Sequence, residues 1–165
     1  MRRRLHRPAS PITLRIAMSA DTAARLDHQL CFALYAASNA MTRLYRDRLE
    51  PLGLTYPQYL VMLVLWEQDG LTVKAIGERL YLDSGTLTPM LKRMEEAGLL
   101  ERRRSRDDER QVEIRLTARG RALEREVAAL QRDLFCLLPL GPEDMARLRT
   151  ELRGLATGLR ELDSV

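Results

Sequence analysis

The chain has 165 residues, with 27 Lys and Arg, 23 Asp and Glu, two His, two Cys and a formal net charge of +4. That length suits one domain with a sizeable core, and 5% aromatics among many helix formers predict a mainly α chain. An apolar run long enough for a membrane span, about eighteen residues, is lacking, as is the apolar core of a secretion signal, so no membrane role and a cytoplasmic location are expected.

Two cysteines in such a compartment are expected to be reduced or redox-active rather than a structural bridge. With His6 and His28 alone and no closely spaced cysteine pair, neither a metal site nor a cofactor is expected. Charge is spread unevenly. Residues 1–20 hold five arginines (Arg2, Arg3, Arg4, Arg7, Arg15) and no acid, leaving 22 basic against 23 acidic residues beyond. Overall charge is therefore poor evidence for DNA binding. Residues 71–121, with twelve Lys and Arg against nine Asp and Glu between net acidic flanks, are the better sign.

Residues 1–20, broken by Pro8 and Pro11, read as a disordered basic extension. They suit a phosphate-contacting arm or a transit-like peptide, or they precede a biological start at Met18. Residues 21–165 read as a single domain. Its first long helix covers about residues 21–50, with a core seam of Leu26, Leu30, Leu34, Ala37, Met41 and Leu44. Beside that seam runs a second stripe at helical spacing, Cys31, Tyr35, Ser38, Thr42 and Tyr45. Taken alone, Cys31 reads as a small buried hydrophobe. Its fourteen-residue separation from Tyr45 spans about 21 Å of helix, too far for contact within one chain.

Pro51 and Gly53 end that helix, and Thr55 with Gln58 forms a capping box for the next. The residues that follow, Tyr59, Leu60, Met62, Leu63, Leu65 and Trp66, are apolar on nearly every side and predict a buried helix. Thr72 caps a short helix carrying Ala75, Ile76 and Leu80, and Asp83 or Ser84 caps another carrying Leu87, Leu91 and Met94, which Gly98 closes.

The second of these leaves Ser84, Gly85, Thr86, Thr88, Pro89, Lys92 and Arg93 for a groove-facing surface, the layout of a recognition helix. An interior proline costs roughly 3 kcal/mol, so either the helix effectively starts near Thr86 or Pro89 is kept for contact with a thymine methyl. Two strand-like runs follow. Leu100, Arg102 and Arg104 alternate on one, Val112, Ile114 and Leu116 on the other. Their tip carries Arg106, Asp108 and Arg110. Asp108 and Arg110 are either an ordinary surface ion pair or a carboxylate holding a guanidinium extended for a minor groove. The winged helix-turn-helix so predicted covers about residues 55–118.

Beyond Gly120, Leu123, Val127, Leu130, Leu134 and Leu137 form a seam. After a turn at Pro139, Gly141 and Pro142, a second seam comprises Met145, Leu148, Leu152, Leu155, Leu159 and Leu162. Helices over about residues 21–50 and 118–163 are thus expected to build a dimerisation region. Cys136 lies off its seam.

The wing sequence DDERQVEIRLTARG resembles the MarR family, and LTVKAIGERLYLDSGTLTPMLKRMEEAGLLERRR with LDHQLCFALYAASNAMTRLYRDRLEPLGLTYPQYLVMLVLW resembles its organic-hydroperoxide resistance repressors of the two-cysteine type. Because the resemblance begins after Met18, that residue is the favoured start. The resemblance implies an intertwined homodimer on double-stranded palindromic DNA, half-sites about 34 Å apart.

It further implies that Cys31 senses organic hydroperoxide, that Tyr45 and Tyr56 hydrogen-bond it across the dimer, and that Cys136 resolves its sulfenic acid. Phe32, Tyr35, Tyr45 and Tyr56 are candidates to line a pocket for the organic part of the peroxide. The expected function is a redox-sensing repressor rather than an enzyme. A MarR-type regulator of a non-covalent phenolic ligand, a thiol peroxidase and a purely structural helical dimer are the alternatives.

Overall fold

In a computed structural model, residues 25–104 and 111–163 are described, in two units, Met1–Tyr45 and Arg46–Val165. The basic extension and the wing tip with Arg106, Asp108 and Arg110 lie outside the described residues. A 3₁₀ turn, Leu26–His28, precedes helix α1, Leu30–Leu49. The ordered helix therefore starts later than the expected residue 21: the backbone of Arg25 and Gln29 is extended, and Gln29 N–H closes the turn onto Leu26.

A second 3₁₀ turn, Glu50–Leu52, ends at Gly53, whose φ of 70° supplies the left-handed residue needed to leave it. Helix α2, Tyr56–Glu67, opens on the expected capping box, in which Thr55 N–H donates to the Gln58 side chain at 2.9 Å. It buries Tyr59, Val61, Met62, Val64 and Leu65. Helices α3, Val73–Leu80, and α4, Ser84–Glu96, are capped by Thr72 and Asp83. They lie close at the turn, where a Cβ on Gly77 would stand 2.6 Å from the carbonyl oxygen of Leu82.

A three-stranded antiparallel sheet in the order β1–β3–β2 completes the reading unit. Its strands are β1, Leu71–Thr72; β2, Leu100–Arg104; and β3, Val112–Leu116. The register sets Leu100 opposite Leu116, Arg102 opposite Ile114 and Arg104 opposite Val112, so the expected alternating sets share a face. Strand β1, with Leu71 opposite Ile114, was not expected; two residues are too few for a period.

The core gathers Ile76, Leu87, Leu91, Met94, Leu99 and Ile114, each at most 1% exposed. Burial of each such side chain stabilises the unit by about 1.5–3 kcal/mol. Helices α5, Ala118–Leu137, and α6, Pro142–Asp163, follow. Leu123, Val127 and Leu134 of the α5 seam are buried, but Leu137 is exposed.

The α1 seam departs in part from the expectation of a core, and the α6 seam, expected to join a dimerisation region, is exposed. Leu26 and Leu30 before and in α1, and Leu148, Leu152, Leu159 and Leu162 in α6, are 40–72% exposed. Among the described residues these stripes are exposed apolar faces rather than core. No described helix is long and apolar enough to cross a membrane.

Candidate functional site

Helix α4 divides cleanly. Leu87, Met90, Leu91 and Met94 face the core, while Ser84, Gly85, Thr86, Thr88, Pro89, Lys92 and Arg93 are all exposed. The cap is Asp83, not Ser84: Asp83 Oδ1 accepts from Thr86 N–H at 2.8 Å, and Thr86 Oγ1 donates to Asp83 Oδ2 at 2.9 Å. These bonds, the backbone one foremost, hold the fully exposed Asp83 carboxyl below its ordinary pKa. The Thr86 hydroxyl proton is thereby committed, which leaves its oxygen as an acceptor beside its methyl group on the exposed face. Lys92 sits 3.9 Å from Glu96 one turn on, an exposed pair that a phosphate can displace at little cost.

The helix starts at Ser84, so Pro89 lies inside it. Of the two readings, the structure takes the one in which the cost of an interior proline is borne. Pro89 is exposed, where its ring can meet a ligand rather than the core.

On the wing, Arg104 is exposed at the described end of β2. Arg103 pairs with Glu101 at 2.7 Å and Arg115 with Glu113 at 2.9 Å. Arg102, which faces inward opposite Ile114, was missed as a site residue because its place in the strand alternation hid it. It helps line a groove of about 970 Å³ with Thr72, Lys74, Tyr81, Ser84 and Thr88. Its Nε is the buried side-chain atom that lacks a hydrogen-bond partner among the described residues.

Other ties went unread in the sequence. Asp69 Oδ1 accepts from Gly70 N–H at 2.9 Å and Leu116 N–H at 2.8 Å, while Oδ2 meets Arg121 Nη1 at 2.6 Å. The Asp-Gly pair is a turn signal that marks this junction. Thr117 Oγ1 donates to Gly98 O at 2.7 Å and accepts from Gly120 N–H at 3.0 Å, joining the exit of α4 to the start of α5.

Both cysteines are free and exposed, which removes the buried-hydrophobe reading of Cys31. Cys31 is the second residue of α1, and Tyr35, 65% exposed, follows one turn later. Tyr45 is half-buried on the same helix, about 21 Å along its axis from Cys31. Tyr56 opens α2 half-buried, its ring 5.9 Å from that of Tyr59. Burial, and secondarily Tyr59, pushes the Tyr56 phenol above its usual pKa, so it remains a hydrogen-bond donor at neutral pH. Cys136 is the penultimate residue of α5, between exposed Phe135 and Leu137.

Residues 54–112 match the MarR family. Over 137 residues the chain is 49% identical to the organic hydroperoxide resistance transcriptional regulator of Bacillus subtilis (strain 168), covering 83% of this chain and 93% of that one. Among solved structures, reduced AbfR bound to DNA aligns with a TM-score of 0.72 at 38% identity, covering 84% of this chain and 94% of that one. Disulfide-formed AbfR aligns with a TM-score of 0.59 at 39% identity, covering 80% and 93%; AbfR is a protein of Staphylococcus epidermidis. Family match, winged-helix likeness and the exposed polar face of α4 agree: this chain belongs to the MarR family and is a DNA-binding transcriptional regulator.

Proposed function

We propose that the protein is a homodimeric cytoplasmic repressor that leaves its operator when an organic hydroperoxide oxidises Cys31. The observation that carries this reading is the exposed Cys31 thiol in the first turn of a helix, on one stripe with Tyr35 and Tyr45. The thiolate is the form that attacks peroxide, and an exposed thiol is open to that attack. The names of similar proteins, an organic hydroperoxide regulator and a disulfide-formed AbfR, support the same chemistry.

In the proposed step the Cys31 thiolate attacks one peroxide oxygen. An S–O bond forms, the O–O bond breaks, and the alkoxide leaves as the alcohol after taking a proton, so sulfur is oxidised and peroxide reduced. The Cys136 thiol of the second subunit then attacks the sulfenic sulfur; an S–S bond forms and water leaves. Tyr45 and Tyr56 are assigned as phenol donors that reach Cys31 across the dimer interface, and Tyr35 as part of the peroxide's apolar lining.

Dimerisation is supported by the exposed apolar faces of α1 and α6, which need a covering surface. On DNA, Ser84, Gly85, Thr86, Thr88, Pro89, Lys92 and Arg93 are assigned to the major groove. Arg104 and Arg106, with Arg110 held by Asp108, are assigned to the flanking minor groove, and the two-fold axis to a palindromic site. The test is nonreducing mass spectrometry after one equivalent of cumene hydroperoxide, run beside DNA-binding measurement. A Cys31–Cys136 intersubunit disulfide that appears in step with DNA release is expected; release with both thiols intact rules the mechanism out.

One observation favours a second reading. The groove beneath β2, with the unpartnered Arg102 Nε, suits a phenolic ligand whose oxygen meets the guanidinium. Release of DNA by a simple phenol under reducing conditions, lost in Arg102→Met, distinguishes it.

A further inference from the structure

We infer that Glu95 is a positioning residue for DNA recognition: its carboxylate fixes where the wing stands relative to the reading helix. Glu95 is half-buried at the penultimate position of α4. Its Oε1 accepts the backbone N–H of Arg102 in β2 at 2.9 Å.

Strand β2 is an edge of the sheet, and an edge strand leaves alternate N–H groups without a ladder partner. Arg102 spends its N–H on α4 rather than on Ile114 opposite. The bond grips β2 at mid-strand, two residues before Arg104, whereas the side-chain ties through Asp69 to Leu116 and Thr117 to Gly98 act at the sheet's root and β1 pairs with β3, not β2. A hydrogen bond to a carboxylate is stronger than a neutral one and restricts direction. Without it β2 is held through its ladder with β3, which β1 pins at Ile114 and Glu113, and by the ties at the root, and Arg104, some 7 Å further along the strand, is less firmly positioned. Glu95 falls on the helical stripe of Ser84, Thr88 and Lys92 but at the C-terminal end of α4, with its carboxylate on the Arg102 N–H, and it acts through β2.

The inference rests on the proposed placement of the wing against DNA, but not on the cysteine chemistry, so the reduced protein serves for its test. The probe is a duplex that the wild-type protein selects from a random pool. Glu95→Ala is expected to lose about tenfold in affinity, and Glu95→Gln, which keeps an oxygen acceptor, to stay within about threefold of wild type. If one phosphate contact per subunit is lost, the salt slope of Glu95→Ala falls by about two per dimer.

Hydroxyl-radical footprinting should show the flanking minor-groove protection of wild type weakened in Glu95→Ala with the major-groove pattern kept. A merely structural role would lower the melting temperature and weaken every contact alike, leaving the protection pattern unchanged; that result overturns the inference, as does unaltered affinity. Absence of flanking protection in the wild type overturns the wing placement first, and this inference with it.

Discussion

The indole Nε1–H of Trp66 donates to the carbonyl oxygen of Gly120 at 2.9 Å, tying α2 to the first turn of α5. Gly120 also lies tight against Leu99: a Cβ on it would stand 2.1 Å from the carbonyl oxygen of Leu99. The reading unit and the long helix that carries Cys136 are thus joined where no side chain fits.

Gly120→Ala should therefore destabilise the protein by about 3 kcal/mol, as overpacking against backbone does, while Trp66→Phe costs about 1 kcal/mol for one lost hydrogen bond. Urea denaturation of the two variants checks the order. Equal effects would mean that the close approach relaxes freely.

The cap of the reading helix should respond to acid. Asp83 has its folded pKa lowered by the Thr86 bonds, so its contribution is present above the unfolded carboxylate value, near 3.9, and is lost as pH falls through the folded value. The melting-temperature advantage of wild type over Asp83→Ala should be constant from pH 7 to about 5 and shrink below about pH 4. Calorimetry across that range is the measurement, and an advantage that grows toward acid would contradict the assignment.

Pro89 sits inside α4, where it gives up the hydrogen bond to the Gly85 carbonyl. Pro89→Ala should raise stability by about 1–3 kcal/mol and at the same time weaken binding to the selected duplex. Paired melting and fluorescence-anisotropy measurements decide; a variant that is both more stable and equally tight would show that the ring does not read DNA.

Much of this architecture was legible because it is local. Thr55 with Gln58, Thr72 at α3 and Gly98 at the exit of α4 are caps whose chemistry lies within a few residues, and the structure places each as expected. What stayed hidden joins different elements: Asp69 with Arg121 and Gln131 donating to Tyr59 Oη at 2.6 Å, both distant in sequence, and Glu95 with Arg102, seven residues apart across the α4–β2 turn. The seam of α1 misled in another way. Helical periodicity shows that a face is apolar, but not whether the same chain covers it. In the candidate site, the exposed face of α4 could be read from its spacing, whereas the inward Arg102 could not be told from a solvated strand residue.

Tyr56, with its phenol held protonated by burial, is assigned as a donor that stabilises the Cys31 thiolate. Tyr56→Phe should slow sulfenic acid formation about tenfold and leave operator affinity of the reduced protein unchanged. Stopped-flow oxidation with cumene hydroperoxide measures it; an unchanged rate removes Tyr56 from the thiol's surroundings.

The most direct measurement of the central claim is a gel shift of Cys31→Ser on the selected duplex, with and without organic hydroperoxide. Binding equal to wild type and no release on peroxide treatment is the predicted result. Release by the variant at the peroxide concentration that frees the wild type would contradict the account.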